Sequence, residues 1–459
     1  MSNVEQVIAF ANAHRSEHLD ELRDFVTIPS VSAVPAHAAD IRRAAEWLFN
    51  WIATEGGKVE LIETDGSPIV WGEFTAKDPD APSILVYGHY DVQPVDPVDL
   101  WDTDPFAPTV RGDRLYGRGA SDMKAQIMAA LIAVRSLVRQ GELPVTVRLL
   151  FEGEEEIGSP NLAGVLTEHA DRFKADVCLN PDTGMLGAEL PAIRYGLRGI
   201  AYFELQLKGP ARDLHSGAFG GVVHNPAQAL AEIITGMHDA DGRVTLPGFY
   251  DRVREIDATE KDRLARVPFG ETEVRELSGV TQSWGESKFS PAERVGARPT
   301  LEINGIESGY TGPGAKTVIP ATAMAKISMR LVPDQRPEEI RGQLEAYLKQ
   351  HVPPTISYEI VEFAQGASFI CDPTSPAHAA FSNALSEVWG VDPILSRSGG
   401  SVPVANDLQE LLGIPSILTG FALPDDQVHS PNESQHLPTW YRGTEALIRF
   451  MTDFGGRRR

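Results

Sequence analysis

The sequence predicts an α/β fold: a mostly parallel central sheet with helices on both faces, interrupted by an inserted α+β module with an antiparallel sheet. Three observations carry this. Short apolar runs at Ile84–Tyr87, Val145–Phe151 and Val177–Leu179 alternate with helical patterns, as strands buried on both faces do. Near residue 199 the pattern changes, and Ala201, Phe203, Leu205 and Leu207 alternate with Tyr202, Glu204, Gln206 and Lys208. That is an antiparallel strand with one wet face. Buried-strand character then returns at Pro415–Leu418, so the antiparallel module reads as an insertion.

Each element follows in order. Val4, Val7, Ile8, Ala11, Leu19, Leu22 and Val26 recur at helical spacing until Pro29 stops them, and Ile41–Ile52 repeats the period. Val59–Ile62 and Pro68–Phe74 read as strands. Ile84–Tyr87 is another and runs into Gly88-His89-Tyr90-Asp91-Val92. After Gly117 and Gly119 a helix is expected from near Ser121 through Ala129, Ala133 and Leu137. Ser159 and Pro160 look like the cap and first turn of a helix over 161–169. A strand over 175–179 ends at Asn180-Pro181-Asp182. Within the module the alternation recurs at Ala325–Leu331 and Ile356–Ile360, with helices at 226–237 and 337–351. Gly242–Thr317 is polar and rich in Gly and Pro, and reads as loops with one charged helix near 255–267.

Composition narrows the function. Lys+Arg 41 against Asp+Glu 64 gives a net charge of -23 over 459 residues, which argues against nucleic acid or an anionic membrane as partner. Cys178 and Cys371 are the only cysteines, so neither a disulfide framework nor a thiolate zinc site is expected, and a reducing cytoplasm fits. The first residues show no secretory leader pattern, and no apolar run is long enough to span a bilayer.

The chemistry gathers around Val145–Asn161. The buried strand ends in Glu152-Gly153-Glu154-Glu155-Glu156, and adjacent carboxylates there repel one another and lose hydration. With no Lys or Arg from Glu152 to Asn161, a metal ion is the simplest compensation. Other residues stand at comparable places: His89 and Asp91 after one strand, Asp122 at a glycine-rich turn, Asp182 after another strand, and His429 after Ser416–Leu418. Ligands of an open α/β sheet bind beyond the carboxyl ends of its strands, so topology would bring these residues together. Two imidazoles and several carboxylates without thiolate suit a pair of divalent ions such as zinc, manganese or cobalt.

The motifs GHYDV, RGASDMK, EGEEEIGS, NPD at 180–182, DLHSG at 213–217 and VHSPNE occur in that order. Together they resemble the di-metal amidohydrolase family of carnosinase-type dipeptidases, aminoacylase, carboxypeptidase G, acetylornithine deacetylase and succinyl-diaminopimelate desuccinylase. The resemblance covers essentially the whole chain. It implies a catalytic domain in two parts, 1–198 and 373–459, with 199–372 as a lid and dimerisation domain. His89 and Asp182 would hold one metal, Glu156 and His429 the other, and Asp122 would bridge them. Glu155 would be the general base. Asp91 would hydrogen-bond His89, and a cis peptide is expected at Asp122–Met123. Glu154 receives no chemical role. Two divalent ions per subunit are implied, zinc foremost, with a water between them as nucleophile.

In the lid, the resemblance picks out His215, Thr317 and Arg330. In carnosinase-type relatives the matching His and Thr reach the partner subunit's active site, and the Arg binds the substrate carboxylate. Ser401, in SGGSVPVAND, would lie near that carboxylate at a helix start. The role of His378 stays open. The long Gly242–Thr317 stretch and LEINGIESGYTGPGAKTVIP point to the carnosinase-type branch. The expectation is a cytoplasmic, homodimeric metallo-dipeptidase acting on a short peptide with a free carboxyl end. The alternative is an N-acyl amino acid amidohydrolase. A non-catalytic metal-binding protein is disfavoured, because a pure binder has no use for Glu155.

Overall fold

A computed structural model describes residues 3–400 and 403–457. The chain forms two compact units. One comprises Met1–Tyr195, Cys371–Leu395 and Val404–Arg459; the other comprises Gly196–Ile370 and Ser396–Pro403. Residues 396–400 therefore lie with the second unit, whereas the sequence reading placed them in the 373–459 part of the catalytic domain.

In the first unit, strands Lys58–Ile62, Ile69–Phe74, Thr146–Glu152, Ser83–His89, Val177–Asn180, Ser416–Leu418 and Ala192–Leu197 lie side by side in that order. Ser83–His89 pairs in parallel with both Thr146–Glu152 and Val177–Asn180, and Ser416–Leu418 pairs in parallel with Val177–Asn180. The first two strands are antiparallel additions at one side. Parallel strands must be covered on both faces, which explains their unbroken apolar runs. Helix Lys124–Arg139 is buried from Lys124 through Leu137, because helices Asn3–Ala13, Arg15–Val26 and Leu437–Gly456 pack against it along with strand Ser83–His89. Trp440 is fully buried and donates its indole N–H to Ala125 O at 2.7 Å. Truncating such a side chain costs about 3–5 kcal/mol.

The second unit is built on a four-stranded antiparallel sheet, ordered Thr300–Ser308, Thr322–Leu331, Gly199–Lys208, Ser357–Gly366. Ala325 faces Leu205 and Ile327 faces Phe203 across the central pair. Their face is buried with Leu230 and Ile233 from helix Pro226–Thr235 and with Ile340 and Leu344 from helix Pro337–His351. The alternation read in the sequence is the imprint of that one-sided core.

Several local expectations are corrected. The long helix starts at Lys124 rather than near Ser121, since the backbone of Gly119–Asp122 is held by another part of the chain. Ser159 is not a helix cap: the helix is Leu162–Glu168, and the Ser159 hydroxyl donates to Glu152 Oε1 at 2.9 Å. The polar stretch over 242–317 holds three short helices, Ala258–Ala265, Glu271–Ser278 and Pro291–Ala297, and all of strand Thr300–Ser308. Capping by Asp257 and by the Ser290–Glu293 box supports two of these helices, which are too short to show a clear apolar period. The strand is irregular between Ile303 and Gly305, which breaks its alternation. Among the described residues no helix is long and apolar enough to cross a membrane.

Candidate metal centre

The site lies in the first unit, at the carboxyl ends of its parallel strands. His89 is the last residue of Ser83–His89 and stands in register with Glu152 at the end of the neighbouring strand. Asp182 follows Val177–Asn180 by two residues, and its N–H is bonded to Asn180 Oδ1 at 3.0 Å. Asp122 precedes the buried helix, and its peptide bond to Met123 is cis. Glu155 and Glu156 sit in a single 3-10 turn after the strand that ends at Glu152.

These elements bring the side chains together. His89 Nε2 lies 3.1 Å from Asp122 Oδ1 and 3.7 Å from Asp182 Oδ1. His429 Nε2 lies 2.9 Å from Asp122 Oδ2 and 3.4 Å from Glu156 Oε2. Two ligand groups result, His89–Asp122–Asp182 and Asp122–Glu156–His429, and each has its donor atoms within 4.8 Å of one another. Asp122 belongs to both. A third grouping joins His89, Glu155 and Glu156.

Residues 85–453 match the peptidase family M20/M25/M40. The chain is 32% identical over 458 residues to the Cys-Gly metallodipeptidase dug1 of Schizosaccharomyces pombe, with 95% of each covered. It is 30% identical to the human Beta-Ala-His dipeptidase, covering 98% of this chain and 92% of that one. The M20 family metallo-carboxypeptidase Sso-CP2 from Sulfolobus solfataricus superposes with a TM-score of 0.82 at 33% identity, covering 96% of this chain and 99% of that one. The chain belongs to peptidase family M20/M25/M40.

The donor set of this M20 peptidase fits divalent cations: imidazole nitrogens and carboxylate oxygens, with no thiolate. Burial raises Asp182, and it raises Glu155 to about 8, where the nearby carboxylates of Asp182, Glu156 and Asp122 act in the same direction and His89 opposes them. Burial would also raise Asp122, but bonds from His429 and His89 win and hold it well below the usual carboxylate range. His429 is raised to about 10 by its bonds to Asp122 and Glu156. Burial disfavours charge on His89, yet bonds to Asp122, Asp182 and Asp91 outweigh it and raise the ring well above its ordinary value. The clustered carboxylates favour positive charge at this place, which divalent cations would supply.

Asp91 is more than a partner for His89. Its backbone carbonyl lies 3.1 Å from His89 Nδ1 and its Oδ1 at 3.5 Å, while its two carboxylate oxygens accept the N–H groups of Glu155 and Glu156 at 3.2 and 3.1 Å. It therefore orients one imidazole and the turn that carries both glutamates. Glu154 points away, accepting from Ser67 N and Asn161 Nδ2.

Other contributors went unread in the sequence. Gln93 donates to Glu156 Oε2 at 2.7 Å. Glu433, fully buried, accepts from Gly119, Ser121 and Asp122 N–H groups and from Arg118. Asp426 accepts the Ser121 hydroxyl at 2.9 Å. Glu433 stands in the VHSPNE motif, so the signal was present without a role attached. Beside Asp122 and Asp182 lies a cleft of about 480 Å³ that also includes Gln126, Met185 and Arg194.

Three further candidates, His215, Thr317 and Arg330, lie in the second unit. His215 and Thr317 are exposed and adjacent, with Ser216 N–H donating to Thr317 O at 3.1 Å. Gly217 N–H donates to His215 Nδ1 at 3.0 Å, which leaves Nε2 to carry the proton of the neutral ring. Arg330 is half-buried on Thr322–Leu331, opposite Thr300 and Ile200. Ser401 lies outside the described residues. His378, left open earlier, is buried, with Ser375 Oγ at 2.9 Å and Cys371 Sγ at 3.3 Å.

Proposed function

We propose that this M20 peptidase hydrolyses the peptide bond of a dipeptide or similarly short peptide with a free carboxyl end, using two divalent ions, zinc foremost and manganese or cobalt as substitutes. One observation supports it above the others: Asp122 divides its two oxygens between the two imidazoles, 3.1 Å from His89 and 2.9 Å from His429. A carboxylate so placed suits a bridge between two ions. His89 and Asp182 would complete one ligand set, Glu156 and His429 the other. Relatives named as Cys-Gly and Beta-Ala-His dipeptidases favour this over the N-acyl amino acid alternative.

When bound, the ions supply Lewis acidity to the carbonyl and lower the pKa of water. Glu155 takes a proton from the attacking water and passes it to the leaving amine, so the C–N bond breaks with neutral stoichiometry. Glu155 is suited to this by an environment that raises its affinity for a proton. Asp91 keeps that base and its neighbour Glu156 in place through their N–H groups. Arg330 and Ser401 hold the substrate carboxylate. His215 and Thr317 act on the oxyanion of the partner subunit in a cytoplasmic homodimer. The test is a turnover panel of dipeptides, tripeptides and N-acyl amino acids with each ion. Faster N-acyl hydrolysis would reverse the preference between the two substrate classes.

A further inference from the structure

The turn that carries Glu155 and Glu156 is held at its two ends by different groups. At its start the Asp91 carboxylate accepts both glutamate N–H groups. At its end the chain passes through two consecutive left-handed residues, Gly158 at φ 90° and Ser159 at φ 51°. Glycine takes that conformation freely, whereas a residue with a Cβ keeps it only where its surroundings impose it. Apolar packing does not impose it here, since Ile157, Gly158 and Pro160 are exposed and Ser159 is half-buried.

Ser159 is held by its own hydroxyl, which donates to Glu152 Oε1 at 2.9 Å. The same oxygen accepts the Tyr87 hydroxyl at 2.8 Å. Glu152 and Tyr87 are both buried, on neighbouring parallel strands, so the sheet itself fixes this oxygen. With Ser159 in place, Glu154 O accepts Ile157 N–H at 3.1 Å and Ser159 N–H at 2.8 Å, and Glu155 O accepts Gly158 N–H at 2.8 Å. The Glu154 carboxylate takes Asn161 Nδ2 at 2.7 Å, which anchors the chain beyond the turn and leaves the dihedral of Ser159 to Glu152.

We propose that Glu152 is a positioning residue for the hydrolysis: through Ser159 it locks the far end of the turn and so fixes where Glu155 and Glu156 point. Its effect on turnover rests on the reading of Glu155 as base and Glu156 as ligand. Its effect on the backbone does not.

The experiment measures kcat, KM and amide hydrogen exchange over 154–159 in metal-loaded protein, with the fastest substrate of the turnover panel. The variants are Ser159→Ala, Ser159→Gly, Glu152→Leu, Glu152→Gln and the double variant Glu152→Leu with Ser159→Gly. Ser159→Ala loses the hydroxyl and keeps the Cβ, so kcat should fall about 10–100-fold with KM little changed, as a misplaced catalytic group predicts. Its turn amides should exchange faster. Ser159→Gly loses the hydroxyl together with the need for it, and should recover most of that loss. Glu152→Leu should behave as Ser159→Ala does. Glu152→Gln, whose amide oxygen still accepts both hydroxyls, should recover most of the loss in Glu152→Leu, and so should adding Ser159→Gly.

A merely structural Glu152 would lower the melting temperature without rescue of kcat by Ser159→Gly, and that result overturns the proposal. So does a Ser159→Gly variant as impaired as Ser159→Ala, or an unimpaired Ser159→Ala. If Glu152→Leu does not fold, the two Ser159 variants decide. If the wild type turns over nothing in the panel, the peptidase reading fails by itself and exchange decides the rest: equal protection in Ser159→Ala and wild type sinks the latch.

Discussion

Glu433 accepts the backbone N–H of Asp122 at 3.0 Å although the two are 311 positions apart in the chain. The same oxygen accepts Ser121 N–H at 2.9 Å, and the other oxygen takes Gly119 N–H and Arg118. Four residues before Glu433 stands His429, so one buried carboxylate ties together the two loops that carry the shared Asp122 and an imidazole. Glu433→Gln should therefore weaken metal retention by about 10–100-fold, the usual consequence of losing a group that orients ligands. It should also lower the melting temperature, because Arg118 is left as a buried, unpaired cation. Metal content after graded chelation checks this; unchanged retention would make Glu433 merely structural.

Glu155→Gln separates base from ligand. The variant should retain its ions and lose about 10²–10⁴ in kcat. Metal analysis beside turnover reads both. Loss of metal with loss of activity would move Glu155 among the ligands, consistent with its place in the third donor group.

Chelation should abolish turnover and lower the melting temperature, since ions that bind only the folded chain stabilise it in proportion to the logarithm of their concentration over Kd. Zinc, manganese or cobalt should restore both. Calorimetry with and without chelator is the measurement, and an indifferent melting temperature would contradict a pair of tightly held ions.

Acid should destabilise the chain through His378. Burial holds this ring at about 4, below its ordinary 6.5. Between those values the unfolded chain binds a proton that the folded one does not, so stability falls as pH drops from 6.5 towards 4. The slope from one such group reaches about 1.4 kcal/mol per pH unit. Urea unfolding at pH 7, 5.5 and 4.5 should show this loss in the wild type and a shallower slope in His378→Gln.

Cross-subunit action has its own signature. Glu155→Gln and His215→Ala should each be inactive alone. Mixed heterodimers should regain activity, because one of their sites combines an intact Glu155 with His215 from the other subunit. Sedimentation that finds only monomers, or mixing without recovery, would refute the arrangement.

The parallel core and the one-sided sheet were legible in the sequence because burial on two faces or on one leaves different apolar periods, seen at Val145–Phe151 and Ala201–Leu207. The places of His89, Glu156 and Asp182 follow the same logic, since strand ends in a parallel sheet have a common destination, whereas Asp122 at its glycine-rich turn and His429 well past Ser416–Leu418 were picked out chiefly by the motifs of the resemblance. Strand Thr300–Ser308 was lost in a polar stretch because only Leu301 in it is fully buried.

What tertiary structure alone decided is the holding of the site. That Asp91 accepts the amides of Glu155 and Glu156 and that Glu433 gathers the Gly119–Asp122 backbone are relations between distant segments. Hydrophobic periodicity is local and repeats, so one chain suffices to reveal it. A hydrogen bond made once between residues hundreds of positions apart leaves no period, and only the folded backbone discloses it.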